Sequence, residues 1–588
     1  MKIPSVKRVL AALAIAAALS LSAFATPHAL AQSAAPGFVV AGDLGFRKAV
    51  NEFIESEFRM FPENATWAGD HRFDDRIEDL SAAGLAAESR HAHEWKTRFE
   101  SFDSRHLSSA NEADREFLAA QCDGELLRVE ELRNYARDPG IYLPTSAIDQ
   151  LIKRNFAPLA ARMNSVTARE TAALGNLAAA RTNLDPRRTA PVTIDIVLEQ
   201  MPATIDFFEK DLASAFATVP DGPDKRSFTS ANAKLVAAIT DYRHWLENTL
   251  RRKATGSYAI GADAYRRMLA DDDMVDIPLD QVEAAGVKEL ARLRQEFRKS
   301  AAEVDPKATP SEVVARLEER HPASDRVIPD VRAGLAVLRA YVVAHHIATI
   351  PSDVMPIVAE TPPFMRATTF ASMDTVGPLE KSTESYFYVT LPDPSWPEKQ
   401  REQLLAFYAP TTISDTSIHE VFPGHYVQFL NNRLNPDRVR TLYSSGASAE
   451  GWALYCEQMM LDQGLHRGEP AYRVSQVQMA LMRACRYLVG IRMHTRGMTV
   501  AQAQAFFEHN AYQTPHNAHV EALRGTGDPG YLRYQLGKLM IMKLRDDVRA
   551  RQGAAFNLGK FHDAFLREGA IPIVLIRRDM LGNDGPLL

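Results

Sequence analysis

Ile418-His419-Glu420-Val421-Phe422-Pro423-Gly424-His425 sets two imidazoles around one carboxylate. Neutral imidazole is a standard zinc ligand, and a glutamate beside the metal can take a proton from water. In the common His-Glu-x-x-His pattern the histidines are four apart and share one helical face. Here they are six apart. On an ideal helix six residues turn about 600°, which leaves the two side chains roughly 120° off a common face. Pro423 also lacks the N–H that a continuous helix uses. The motif therefore requires a bulge or break between Phe422 and His425 that turns His425 back toward His419. Just upstream, Asp415-Thr416-Ser417 is good N-cap material. Read without a metal, the pair is two unrelated histidines at a helix end.

A third ligand comes from Ala449-Glu450-Gly451-Trp452-Ala453-Leu454-Tyr455-Cys456-Glu457. Glu450 follows His425 by 25 positions, the kind of distance at which a second helix supplies the carboxylate of a His/His/Glu zinc site. Glu450 and Glu457 are seven apart and project from one helix face. The segment is mostly apolar, so a carboxylate inside it needs a partner. Glu450 can bind metal while Glu457 supports the ligands from behind.

His-Glu-x-x-Pro-Gly-His followed by Glu-Gly-Trp-Ala-x-Tyr-x-Glu resembles the bacterial DUF885 family, which is similar to His-Glu-x-x-His metallopeptidases of the gluzincin type. The resemblance covers most of the chain. Pro62-Glu63-Asn64-Ala65-Thr66, Gly69-Asp70-His71 and Ile260-Gly261-Ala262-Asp263-Ala264-Tyr265 match it early. Glu521, Arg524, Pro529-Gly530, Tyr534, Gly537, Phe561-His562-Asp563 and Gly569-Ala570-Ile571-Pro572 match it late. One departure stands out: Gly490 and Arg492 occupy the family's Asp and Gly positions before His494. The resemblance implies a mostly α, large helical two-lobed metallopeptidase-like fold around a cleft, with a small β-sheet next to the metal helix.

The first residues read as an export signal. Lys2, Lys7 and Arg8 precede an apolar run, and Ala29-Leu30-Ala31 supplies a cleavage site. This predicts a signal peptide over 1–31, an exported and periplasmic protein, and no stable membrane insertion after cleavage. The remainder divides into an N-terminal helical region, 32–348, and a metal-site region, 349–588, packed as one unit. The composition, 46% hydrophobic and 24% charged, is that of a globular enzyme, and a net charge of −6 argues against a nucleic-acid surface. Cys122, Cys456 and Cys485 are an odd set, so at least one thiol is free or paired outside the chain, and Cys456 reads as a small core residue. No Cys-x-x-Cys pair is present, which argues against a thiolate zinc site.

Apolar residues at i, i+3, i+4 spacing predict helices over 44–61, 110–135, 154–183, 231–252, 278–304 and 310–347, the last interrupted at His321-Pro322. Eight prolines between 349 and 410 forbid long helices there. Ile357-Val358-Ala359-Glu360 and Tyr386-Phe387-Tyr388-Val389-Thr390 read as strands, either a structural hairpin or a sheet whose edge pairs with an extended peptide. From Thr411 the chain is helical again.

Four further residues are candidates. Tyr534 can donate a hydrogen bond to an oxyanion. Arg524, Arg533 and Tyr388 are candidates for contact with substrate, the arginines through bidentate capture of a carboxylate. His516 and His519 become ligands only if Glu450 is not one, and His562 reads as a packing residue. The expectation is an exported hydrolase with one Zn2+ held by His419, His425 and Glu450, and Glu420 as general base on a peptide or small amide. Two alternatives remain: a hydrolase of a non-peptide amide or cell-wall fragment, and a non-catalytic exported binding protein. A di-iron site would want two Glu-x-x-His pairs on facing helices, and the sequence has no such set.

Overall fold

The computed structural model describes residues 42–362, 366 and 370–588. The signal peptide expected over 1–31 lies outside them. The chain is mostly helical with one small sheet. The early helices that matter here are α1 (Asp43–Met60), α2 (Ala82–Glu100), α3 (Ser109–Leu126), α4 (Leu159–Asn183), α5 (Pro223–Trp245) and α6 (Leu279–Val304). After the sheet come α7 (Pro410–Glu420), α8 (His425–Leu434), α9 (Gly446–Asp462), α10 (Pro470–Thr495), α11 (Pro515–Gly527) and α12 (Arg533–Gln552).

Apolar periodicity locates most of these helices, and local chemistry moves some ends. The helix expected from 154 starts at Leu159, because Pro158 takes an extended conformation, ψ 140°, at its N-cap. The helix expected from 231 starts at Pro223, where proline stands in the first turn and loses nothing by lacking an N–H. Between Pro310–Glu318 and Ser324–Ala344 the chain breaks around His321-Pro322, as expected. Asp415 does not cap a helix start. α7 begins five residues earlier at Pro410, so Asp415, Thr416 and Ser417 lie inside it and are buried.

The sheet has three strands, β1 (Ile357–Glu360), β2 (Ala371–Asp374) and β3 (Tyr386–Val389), in the order β1-β3-β2. β1 runs parallel to β3 and β2 antiparallel to it, so the two strands expected from sequence do not form a hairpin. β2 carries the sequence Ala-Ser-Met-Asp, with no β-branched or aromatic residue, and so gives no strand signal of its own.

Two hydrophobic cores fill the molecule. One is confined to residues between Leu80 and Leu250 and is built largely by α4 packing on α5. The other runs from Phe46 to Ile576 and takes in α6 against α10 and α9 against α12. Gly451 and Gly537 let the last pair approach backbone to backbone. A Cβ at 537 would sit 1.8 Å from the carbonyl oxygen of Ala447, and one at 451 would sit 2.5 Å from the Gly537 backbone. That approach fixes α9, which carries Glu450. Cys122, Cys456 and Cys485 are all free and buried. Among the described residues no helix is long and apolar enough to cross a membrane.

Candidate metal centre

α7 ends at Glu420, where Val421 leaves helical geometry at φ −124°, ψ −73°. α8 starts afresh at His425. The break that the six-residue spacing requires therefore occupies 421–424. Three contacts hold it. The Gly424 N–H donates to the Ile418 carbonyl at 3.1 Å. The Phe422 N–H donates to the Ser417 carbonyl at 3.2 Å. The Trp452 indole N–H on α9 donates to the Pro423 carbonyl at 2.9 Å. Gly424 is required by the close approach: a Cβ there would lie 1.8 Å from the His419 carbonyl oxygen.

The break turns the two histidines together, with ring centroids 4.9 Å apart and planes at 90°. Glu450 arrives from α9. Its Oε2 lies 3.5 Å from His419 Nε2 and 3.3 Å from His425 Nε2. The three ligand atoms fall within 4.8 Å of one another, and among the described residues no other trio of His, Cys, Asp or Glu does so. Yet the buried Oε2 of Glu450 has no hydrogen-bond partner. Two ring nitrogens and a carboxylate oxygen that converge without bonding one another suit a common cation, and the donor set of two imidazoles and one carboxylate suits Zn2+.

The charges around the trio reinforce this. His419 Nδ1 faces Glu457 Oε1 at 2.8 Å, and Glu457 is fully buried. A proton on Nδ1 fixes the ring and leaves Nε2 to the cation. Burial opposes charge on His419, but the carboxylates of Glu450 and Glu457 outweigh it and hold its pKa up at about 10. Burial likewise opposes charge on Glu450, and the imidazoles of His425 and His419 hold it well below the usual carboxylate range. Protein atoms alone thus call for positive charge at this point.

Glu420, next in sequence to His419, is tied down by the sheet. Its Oε2 accepts the backbone N–H of Met373 on β2 at 3.0 Å. β2 is an edge strand, and that outward N–H is spent on Glu420. Tyr534, in the first turn of α12, stacks near His419 with centroids 6.5 Å apart. Its hydroxyl accepts from Arg524 on α11 at 3.3 Å, and the Arg524 side chain stays 44% exposed, so both remain at the site.

Two candidates do not serve as expected. Arg533 is occupied: it donates to Asp273 at 2.7 Å and to Asp272 at 2.5 Å, joining α12 to the end of an earlier helix, Ala262–Asp273. Tyr388 is buried and stacks on Tyr386 at 5.5 Å. It is largely withdrawn from solvent on β3. His519 bonds Gln504 on the surface, and His562 is a core residue between Tyr455 and the Ile347 carbonyl. His494 is also buried and bonds the Gly525 carbonyl at 2.9 Å, so the departure from the family pattern at 490 and 492 bears on packing.

Sequence reasoning missed two supports. Asp415 is buried one helical turn before His419, facing Glu457 and Arg483; burial and then Glu457 push its carboxyl well above the ordinary range. Its signal was the four-residue spacing to His419, which puts both on one face. Arg486 pairs with Glu521 through two bonds of 2.7 Å and lies over the Tyr534 ring at 5.5 Å. Nothing local in the sequence links Arg486 to Tyr534.

The family model described as a bacterial protein of unknown function, DUF885, matches residues 62–580. No curated protein matches the chain. The structure of a "putative lipoprotein of unknown function" from Shewanella oneidensis is similar over 91% of this chain and 99% of its own, at 25% identity and a TM-score of 0.78. A "putative lipoprotein" from Colwellia psychrerythraea covers 92% of this chain and 99% of its own, at 18% identity and a TM-score of 0.75. The second likeness speaks to the fold alone.

Proposed function

The chain belongs to the DUF885 family, and we propose that it is an exported, zinc-dependent hydrolase of peptide bonds, with a two-lobed fold whose cleft holds the 419–450 centre. One observation carries this reading: His419 Nε2, His425 Nε2 and Glu450 Oε2 converge within 4.8 Å, and the buried carboxylate oxygen has no hydrogen bond. Export is supported by the basic head, apolar run and Ala29-Leu30-Ala31, and by the lipoprotein description of the similar Shewanella oneidensis structure.

The three converging residues would hold one ion. When bound, zinc would supply a Lewis acid that lowers the pKa of water and polarises a carbonyl. The remaining work falls to the chain's own groups. Glu420, oriented by the Met373 N–H, takes a proton from the attacking water and passes it to the leaving amine. Tyr534 donates to the oxyanion, and Arg524 and Arg486 hold its ring and hydroxyl in place. Glu457 keeps the His419 ring oriented.

The test combines metal analysis of the purified protein with a mass-spectrometric survey of a mixed peptide library. The expected result is about one zinc per chain and peptide cleavage that falls about 100- to 10,000-fold in Glu420→Gln while the metal stays bound. Cleavage of amides or cell-wall fragments but not peptides would move the substrate class. A protein that binds no metal in its wild-type form would sink the reading.

A further inference from the structure

A second concentration of carboxylates lies away from the metal centre. Between α1, α2, α3 and the segment before α2 is a pocket of about 500 Å3. Glu57, Glu78, Glu88 and Glu125 line it, and the one guanidinium among its walls is that of Arg128. That arginine is shared: it donates to Glu125 at 3.0 Å and to Asp272 at 3.0 Å. His91 faces Glu57 at 3.3 Å, but burial lowers its pKa, so it adds no full charge.

Glu88 is the telling residue. It is 9% exposed and lines the pocket. Among the described residues no cation or N–H donor bonds its carboxyl; the group within hydrogen-bonding reach is a second carboxylate, Glu125. An ionised carboxylate buried without a partner is costly, and such groups keep their protons instead. Burial, followed by the neighbouring acids, accordingly pushes Glu57 and Glu78 up to about 8. At Glu125 burial is outweighed by the Glu88 carboxyl and Arg128, which hold it below the ordinary range, so Glu125 is the anion of the set. The other walls are aromatic: Phe53, Phe61, Tyr135 and Tyr443 line the pocket, and Trp67, 49% exposed, lies at its rim. Ring faces attract cations. The acids do not converge as metal ligands do, since the His419 trio is the one set of described ligand atoms gathered within 4.8 Å. Their spread over three helices and the segment before α2 suits an elongated cation.

We infer that this pocket binds a flexible organic cation with two or more primary ammonium groups on an apolar chain, its charges meeting Glu57, Glu78, Glu88 and Glu125 and its chain lying on the aromatic walls. The ammonium groups can come from a free polyamine or from lysine side chains. The inference does not rest on the metal reading.

Isothermal titration tests it with spermidine, with putrescine, and with a blocked dilysine peptide on a Glu420→Gln background that spares the peptide. Mg2+ and Ca2+ alone serve as comparison. The expected result is saturable binding of at least one ammonium probe, weakened about tenfold or more by Glu88→Gln and by Trp67→Ala. Tighter binding of spermidine or of the dilysine peptide identifies the source. Glu88→Gln keeps the size of the side chain and can still donate a hydrogen bond to Glu125, so it should fold normally; Trp67 is exposed, so Trp67→Ala keeps the test valid if it does not. The inference is overturned by no binding of any ammonium probe. Binding indifferent to both variants, or a divalent ion that binds more tightly than every ammonium probe, overturns it equally.

Discussion

At the 419–457 centre Glu450 and Glu457 face imidazoles; in the pocket between α1, α2 and α3 four glutamates have among them one arginine, itself divided with Asp272, and His91, whose pKa burial lowers. Both places bury acids, yet Glu450 at the one and Glu57 and Glu78 at the other move in opposite directions. Glu450 is held down by His425 and His419, while Glu57 and Glu78 are pushed up to about 8 by burial and by neighbouring acids, Glu125 beside Glu57 and Glu63 with Glu125 beside Glu78. The difference lies in who faces the acid, not in how deep it sits. A buried carboxylate with a cation in reach stays charged. One without a cation keeps a proton and waits for a partner.

The largest test of this contrast is removal of a carboxylate at each place. Glu450→Ala takes away a ligand and a counter-charge, and should abolish both metal binding and turnover. Glu88→Gln should leave metal content and turnover at wild-type levels, measured by elemental analysis and peptide cleavage. Equal damage from the two would erase the distinction.

Glu457→Gln gives a smaller effect. The His419 ring would lose the anion behind it, and metal affinity should fall about 10- to 100-fold without loss of the site. Chelator competition measures this. The same assay reads the charge on His419. Its pKa of about 10 means that a metal must displace a proton below that pH. Affinity should therefore rise with pH, by up to about tenfold per unit between pH 7 and 9. A flat profile would mean that Glu450 and Glu457 do not hold a proton on the ring.

The smallest effect is the stability of the acidic pocket. Glu57 and Glu78 have folded-state pKa values near 8, above the ordinary carboxylate value of 4.5. Between those pH values the folded chain binds more protons than the unfolded chain, so these groups make stability fall as pH rises toward 8. Glu57→Gln with Glu78→Gln should remove that slope. For a chain of this size each kcal/mol shifts Tm by only about 1 °C, so the variant should gain on wild type by a few degrees from pH 6 to pH 9. Parallel melting curves for the two would show that the acids are already ionised and partnered.

Much of the candidate metal centre was legible. His419, Glu420, His425 and Glu450 are fixed by spacing and residue type, and Pro423-Gly424 demanded the break found at 421–424. Glu457 followed from a seven-residue interval on one face. Arg533 misled because an arginine near a site looks the same in sequence whether it meets substrate or, as here, Asp272 and Asp273. β2 went unseen because its pairing with β3 and its hold on Glu420, rather than its residues, make it a strand.

The sequence by itself determined what is local: helices from apolar periodicity, proline-bounded breaks, and the set of groups able to hold a metal. Tertiary structure alone decided which distant groups share a low-dielectric space. Glu57, Glu78, Glu88 and Glu125 sit on separate segments, each unremarkable as a surface acid. Arg486 reaches Tyr534 only because α10 and α12 pack together. Charge becomes expensive or useful through burial and through what lies across the gap, and neither is written in the neighbours along the chain.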